Sequence, residues 1–434
     1  MSEHERYDRQ LRLWGSHGQR KLSKSSICCF GSSSVACEIL KNLILPGIGS
    51  FVIVDDTRIT LRDFGQNFFI PSSATCGELR GRVVLETLLQ LNPTVKGSFV
   101  EDVSELDDQF DVCILGNCLA TQKIHAFANA CKYVIEANSI GFIGRIVCEW
   151  NQPHLVLEAK SEEGRIENFR LTNPWPKLTS FSNQAFDEDV LHVPFFAILV
   201  KAASIAASPT KAALVDAIKS LAPDGMIDHT ENFQQAVANT YRITALVEDS
   251  EIVCELKKMV ATSGHLMDKD FIIVVNAIIG FHEKHDCLPL IGSSLPDMIS
   301  SSHMYTQLCD IYRERANEDF DEIFKRCDGL DADFVRLVVA NIRNVRVMLP
   351  EEQTEEYLEE AEKEIVDFFE TGKLGDRLGK EFERYVSGCE MHSVSSVIGA
   401  VGAQEIVKLL TNQFTPIHKQ FVFNGINGTA FMTG

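Results

Sequence analysis

The stretch from Ser26 to Asp55, SICCFGSSSVACEILKNLILPGIGSFVIVD, leaves a chain few ways to fold. A short apolar run ends at Gly31. Apolar residues then recur at Ile39, Leu40, Leu43 and Ile44 with helical spacing, and Pro46-Gly47 stops the helix before a second apolar run at 50–54. Two apolar strands joined through a helix are parallel neighbours, buried on both faces. The alternation continues with a helix over roughly 78–91, strands at 97–101 and 111–115, a helix through QKIHAFANACK and a strand at YVIEA. The expectation is an α/β doubly wound domain over residues 1–149, behind a short helical arm at 1–22.

From about residue 150 the periodicity turns helical. VPFFAILVKAASIAA, SPTKAALVDAIKSLA, ENFQQAVANTYRI and SEIVCELKKMV fit 3.6-residue spacing better than alternation, and Ser208-Pro209 reads as a helix start. The last 50 residues return to α/β, with a small-residue helix, SVSSVIGAVGAQEIVKLL, and two strands around a turn at Asn424–Gly428. A helical insertion at 150–385 therefore separates two pieces of one α/β domain, 1–149 and 386–434.

Charge and cysteine spacing narrow the function. Forty-one basic residues against 61 acidic ones give a net charge of −20, which argues against nucleic acid or an anionic membrane surface as the main partner. The acidic run PEEQTEEYLEEAEKEIVDFFE at 350–370 reads as a solvated helix face. No C-x-x-C pair occurs among the 13 cysteines, so neither a zinc ribbon nor a redox dithiol is expected, and no metal site. The N-terminus is polar from its first residues, and FIIVVNAIIGF at 271–281 is too short to span a bilayer. The expectation is a reduced, soluble, intracellular protein.

Four groupings could carry chemistry. Gly31 stands where a phosphate-binding loop would begin, with Asp55 placed to hold a ribose hydroxyl, but Ser33 and Ala36 fill the next two glycine positions of G-x-G-x-x-G. The loop is either a nucleotide site or a tight strand-to-helix turn without a ligand. Asn117, Cys118 and His125 invite a nucleophile-and-base reading, with packing or capping as the alternative. His392, before the last helix, reads as a helix-entry or core hydrogen-bonding residue. Arg6, Arg9 and Arg12 share one face of the arm beside Leu13 and Trp14. That face is either solvated or a docking surface, and arginine is well suited to reach a phosphate.

The segments YDRQLRLWG, EILKNLILPGIGSFVIVDD, GSFVE, LPDMI, YRE and GAQEIVKLLTNQF resemble the activating enzymes of ubiquitin-like proteins. Within that family the likeness is greatest to regulatory subunits of the heterodimeric, Nedd/Rub-type enzymes, and it runs from Arg6 to Phe431. It implies a degenerate ubiquitin-activating-type adenylation fold. Family members that adenylate carry a G-x-G-G-x-G loop, an aspartate pair after the second strand, an N-x-x-R-Q-type segment, a basic residue on the next helix and a later aspartate for magnesium. Here the corresponding positions hold Ser33, Ser34 and Ala36 in the loop, Asp55 but Thr57, Gly65 and Gln66 in DFGQNFF, and Gly116-Asn117 in place of the magnesium aspartate. Arg80 is the basic position retained.

The resemblance thus implies a loop kept for its fold, with Gly31, Ser33, Ala36, Asp55 and Arg80 as remnants and no cofactor bound by this chain. ATP and Mg²⁺ would belong to a catalytic partner subunit, to whose site Arg9 is lent in trans, with Trp14 and Leu13 holding the arm. The arm and the final helix are the implied interface pieces, and a Nedd/Rub-type modifier the further partner, in cytoplasm and nucleus. The helical insertion corresponds to a catalytic-cysteine domain, shorter than is usual. None of Cys254, Cys287, Cys309 or Cys327 lies in a thioester motif, so all four read as structural. The alternatives are a regulatory subunit for another modifier such as SUMO, a self-sufficient adenylating enzyme, and a nicotinamide-dependent oxidoreductase built on Gly31 and Asp55.

Overall fold

The computed structural model describes residues 3–106, 109–118, 121–157, 167–223, 230–264, 267–292, 295–297, 299–350, 389–418 and 420–433. Apart from Pro350, the acidic run at 350–370 lies outside them.

The chain divides into two compact units, Met1–Ala159 with Arg346–Gly434, and Lys160–Val345. The first is α/β. After α1 (Glu3–Lys24) come β1 (Ser26–Phe30), α2 (Ser34–Ile44), β2 (Ser50–Val54), the single turn α3 (Asp63–Gln66), α4 (Arg80–Leu89), β3 (Lys96–Val100), β4 (Val112–Gly116), α5 (Gln122–Ala128), β5 (Tyr133–Ile140), β6 (Ile143–Trp150) and β7 (His154–Val156). Across the second unit in sequence, β8 (Arg346–Met348), a closing helix (His392–Thr411), β9 (Gln420–Asn424) and β10 (Thr429–Thr433) complete it.

Eight strands form one sheet in the order β10-β9-β6-β5-β4-β1-β2-β3. Strands β3, β2, β1, β4 and β5 run parallel, with Cys28 level with Val52 on one side and Cys113 on the other. From β5 outward the pairing is antiparallel through β6, β9 and β10. Strand β6 has no counterpart among the expected strands. Its partner β9 lies 270 residues downstream by number, so local pattern alone could not announce the pairing. The pair β7–β8 likewise joins chain on either side of the helical unit, with Leu155 opposite Val347. The α/β unit accordingly reaches past the expected boundary at 149.

The closing helix is long and apolar enough to cross a bilayer, yet 67% of that stretch is buried inside the protein. It crosses α2 so closely that a Cβ at Gly399 would stand 2.3 Å from that of Glu38. Its small-residue face is therefore used within the chain and is not free for a partner. What it leaves to solvent is a stripe of Ser393, Val397, Ala400 and Gln404.

The second unit is helical: α6 (Pro176–Glu188), α7 (Phe195–Ile205), α8 (Lys211–Leu221), α9 (Glu231–Ala238), α10 (Tyr241–Thr244), α11 (Asp249–Ser263), α12 (Lys269–His285), α13 (Ser302–Phe324) and α14 (Ala332–Asn341). Its core gathers Phe169, Phe195, Phe196, Phe233 and Tyr312. Helix α8 begins after Thr210 and not at Ser208-Pro209. Thr210 has the extended conformation of an N-cap, and its hydroxyl accepts from Ala213 N at 3.4 Å. The expected ENFQQAVANTYRI helix is interrupted between α9 and α10. Within LPDMI, Asp297 is buried and accepts from Phe195 N at 3.1 Å, so the motif holds the start of α7. Buried Arg170 and Asp319 form an ion pair, and Asp319 also accepts from Leu290 N at 3.0 Å.

All 13 cysteines are free thiols. Burial raises the pKa of Cys287 and Cys327, the opposite of what a nucleophile needs. Cys254 is exposed on α11, unlike the buried Cys287, Cys309 and Cys327.

Candidate functional site

The loop between β1 and α2 is built for closeness. Gly31 has φ +86°, and a Cβ there would lie 2.9 Å from the Gly116 carbonyl oxygen, so the turn admits only glycine. Across the loop, a Cβ on Gly116 would stand 2.5 Å from that of Ala36. Ala36 occupies the third glycine position of a dinucleotide loop, and the room that glycine would leave is provided from β4 instead. Ser33 is the N-cap of α2. Its hydroxyl accepts from Ala36 N at 3.3 Å and donates to the Gly116 carbonyl at 2.9 Å.

A phosphate loop works by presenting free backbone N–H groups at a helix start. Here four of those groups already have partners inside the chain. Gly31 N donates to Val54 O at 2.9 Å, Ser32 N to Asp55 Oδ2 at 2.9 Å, and Ala36 N to Ser33. Ser34 N donates to Glu390 Oε2 at 2.8 Å, and the nearby Val35 amide also favours the charged carboxylate. Glu390 stands two residues before the closing helix, 356 positions from Ser34. Burial pushes its carboxyl up from the ordinary glutamate value, while these donors, Arg80 and Asn117 oppose that rise.

Asn117, at the position the resemblance assigns to a magnesium aspartate, faces the same carboxylate. Its side-chain amide donates to Glu390 Oε1 and, at 2.9 Å, to Ser139 O, while its carbonyl accepts from Ser139 N at 2.8 Å. It sits at φ +48°, in the left-handed region that asparagine tolerates. Gln66 Oε1 accepts from Glu390 N at 3.2 Å, and Asn67 Nδ2 donates to Ser32 O at 3.0 Å. The DFGQNFF segment thus braces the loop backbone.

Asp55 and Arg80 are brought together, but toward each other. Asp55 Oδ2 accepts from Ser32 and lies 3.3 Å from Arg80 NH2, and its other oxygen accepts from Thr57 Oγ1 at 2.6 Å. Arg80 also donates to Ser32 Oγ at 3.0 Å and to Asp63 Oδ1 at 3.2 Å. Its planar fork is taken up by the chain's own oxygens. As arranged, these residues do not fit ATP·Mg²⁺: a carboxylate stands at the helix start and an amide at the metal position.

The remaining candidates separate. His392 Nδ1 lies 2.9 Å from Ser34 Oγ and its Nε2 3.2 Å from Glu38 Oε1, with Phe68 stacked on the ring at 3.8 Å, the pattern of a core hydrogen-bonding histidine. His125 is exposed on α5, and burial raises the Cys118 thiol, so the pair lacks the features of an activated nucleophile and base.

Of the two expected anchors of the arm, Trp14 holds it and Leu13 does not. Trp14 is half-buried; its Nε1 donates to Gln19 Oε1 at 2.9 Å, and its carbonyl accepts from Gln413 at 2.8 Å. Leu13 is 60% exposed and anchors nothing. Adjacent helical residues point about 100° apart, so only one of the two can face the core. The missed anchor is Tyr7, 6% exposed, whose hydroxyl accepts from Asn92 Nδ2 at 3.1 Å. The spacing Tyr7, Leu11, Trp14 was a legible signal for that face. On the outer side, Arg12 pairs with Asp8 at 3.0 Å and Arg6 lies 6.0 Å from the Tyr7 ring centroid. Arg9 is exposed and has no ionic or hydrogen-bonding partner among the described residues.

The chain belongs to the ThiF family, whose profile matches residues 7–433, and its α/β unit is of that family's adenylation type. More particularly, it is 26% identical over 518 aligned positions to the Nedd8-activating enzyme E1 regulatory subunit of Drosophila melanogaster, covering 97% of this chain and 95% of that one. The Caenorhabditis elegans protein of that name is 28% identical, with 97% of each chain covered, and the Saccharomyces cerevisiae one 24% identical, with 98% and 99% covered. The Drosophila alignment exceeds this chain's own length while spanning both proteins nearly end to end, so the length difference is internal. Among solved structures, PaaA gives a TM-score of 0.30 at 22% identity over 34% of this chain and 51% of that chain, too slight a likeness to bear on function.

Proposed function

We propose that this chain is the regulatory, non-catalytic subunit of a heterodimeric activating enzyme for a Nedd/Rub-type ubiquitin-like modifier. It binds no nucleotide of its own. A catalytic partner subunit holds ATP and Mg²⁺, adenylates the modifier and carries it onward, and this chain supplies Arg9 to the partner's adenylation site. The role belongs to the cytoplasm and nucleus.

The observation that carries the reading is the loop 31–36, where the amides of Gly31, Ser32, Ser34 and Ala36 are paired within the chain. End-to-end similarity to proteins named as regulatory subunits supports the choice of enzyme. The exposed Arg9, on an arm fastened by Tyr7 and Trp14, supports a permanent cation offered outward, able to neutralise charge developing on a phosphate.

The test is modifier-dependent ATP–pyrophosphate exchange by this chain alone, with its catalytic partner, and with Arg9→Ala in the complex. Expected are silence alone, activity together, and a loss of about 10³-fold or more with Arg9→Ala at unchanged heterodimer affinity. Exchange by the isolated chain, or full activity of the Arg9→Ala complex, would overturn the corresponding half of the proposal.

A further inference from the structure

We infer that Glu390 is a built-in substitute for a nucleotide phosphate: its carboxylate occupies the anion position at the start of α2 and thereby fastens the chain downstream of the helical unit to the chain upstream of it. The inference deepens the proposed function and rests on it only in holding that this chain binds no nucleotide.

Four observations converge on the side chain. The amide of Ser34, the first residue of α2, donates to it at 2.8 Å, and the Val35 amide beside it favours its charged form. This is where the positive end of an eleven-residue helix draws an anion. Its other oxygen accepts from Asn117. Each of these partners is a donor, which suits the acceptor-only ionised form. Ser34, Val35 and Ala36 are fully buried, and Glu390 and Asn117 half-buried.

The residue at 117 agrees with that occupant. An aspartate there would set two carboxylates against each other at hydrogen-bonding distance, in a half-buried place where like charges are costly. The asparagine amide turns that repulsion into a hydrogen bond. Asn117 and Glu390 thus suit each other as amide donor and carboxylate acceptor. The backbone of the same segment joins in: Gly141 N donates to Cys389 O at 2.8 Å, and Gly141 bridges to Glu390. Residues 34, 117 and 141 precede the helical unit and residues 389 and 390 follow it, so the carboxylate closes the α/β unit across its longest gap in sequence.

The experiment is thermal unfolding of the full chain, native and with Glu390→Ala or Glu390→Gln, with inorganic phosphate titrated against sodium chloride at equal ionic strength. Glu390→Ala leaves the anion place empty. It should lower Tm by several degrees, and phosphate should restore about 2–4 °C of that. The native chain and Glu390→Gln, whose side chain still fills the place, should not respond to phosphate. A folded Glu390→Ala protein that gains no more from phosphate than the native chain would overturn the inference. Asn117→Asp gives an independent reading through a double-mutant cycle. It should lower Tm strongly in the native background and much less beside Glu390→Gln, and an equal loss in both would also overturn it. None of these outcomes depends on pyrophosphate exchange, so the two proposals fail separately.

Discussion

Gly116 on β4 and Ala36 on α2 are so placed that a Cβ on the first would lie 2.5 Å from the Cβ of the second. One of the two positions must be glycine, and this chain puts it on the strand. Gly116→Ala should therefore destabilise the α/β unit by about 1–3 kcal/mol through overpacking. Adding Ala36→Gly should recover most of that loss, less about 0.5–1 kcal/mol for glycine in a helix. Urea denaturation of the two single variants and the double variant checks this, and a double variant no better than Gly116→Ala would refute it.

Tyr7 ties the arm to the body through Asn92. Tyr7→Phe removes one hydrogen bond and should cost about 1 kcal/mol. Tyr7→Ala should in addition loosen the arm, seen as faster hydrogen exchange over residues 3–14. If Arg9 acts in trans, Tyr7→Ala should lower exchange activity of the complex while leaving Arg9 in place. Unchanged protection in Tyr7→Ala would show that Trp14 suffices as the anchor.

Buried His154 has its pKa pulled down to about 3, by burial first and then by Lys132 and Lys21. Below the ordinary value near 6.5 the unfolded chain takes up a proton that the folded one refuses. Its contribution is fully present above about pH 6.5 and declines as the pH falls toward 3, at up to about 1.4 kcal/mol per pH unit. His154→Gln should flatten the fall of stability between pH 6 and 4 by close to one proton. Parallel pH profiles for the native and variant chains would count against a neutral buried His154.

In the helical unit, Asp319 is 1% exposed and faces Arg170, itself 4% exposed. Asp319→Ala would leave a buried guanidinium without its counter-charge and should cost about 3–5 kcal/mol. Replacing both residues with apolar side chains of similar volume should cost less than Asp319→Ala, the remaining loss coming from Leu290 N and Arg315, which also face Asp319. Urea midpoints of the single and paired variants test the difference.

Thiol labelling of the native chain should reach Cys254 and Cys76, both exposed, well before the buried Cys287 and Cys327, which should react only on unfolding. Cys254→Ser should leave modifier transfer by the complex unchanged. Loss of transfer in that variant would assign Cys254 a role that its surroundings give no sign of.

The sequence by itself determined the elements whose signals are local. The strand–loop–helix–strand unit from Ser26 to Asp55, the helical character of the middle segment and the turn at Asn427-Gly428 each arise from the order of apolar residues and turn formers over a dozen positions or fewer. Gly31, Ser33, Ala36, Asp55 and Arg80 were legible as positions of interest. Their present bonding was not, because hydrogen-bond partners are chosen in space. Only the tertiary structure decided that Asp55 and Arg80 turn on each other, that β6 pairs with β9, that Trp14 and not Leu13 faces the core, and that a glutamate 356 residues from Ser34 stands at the head of α2. Local periodicity fixes which residues share a face, but a carboxylate finds its helix terminus only when the chain has closed on itself.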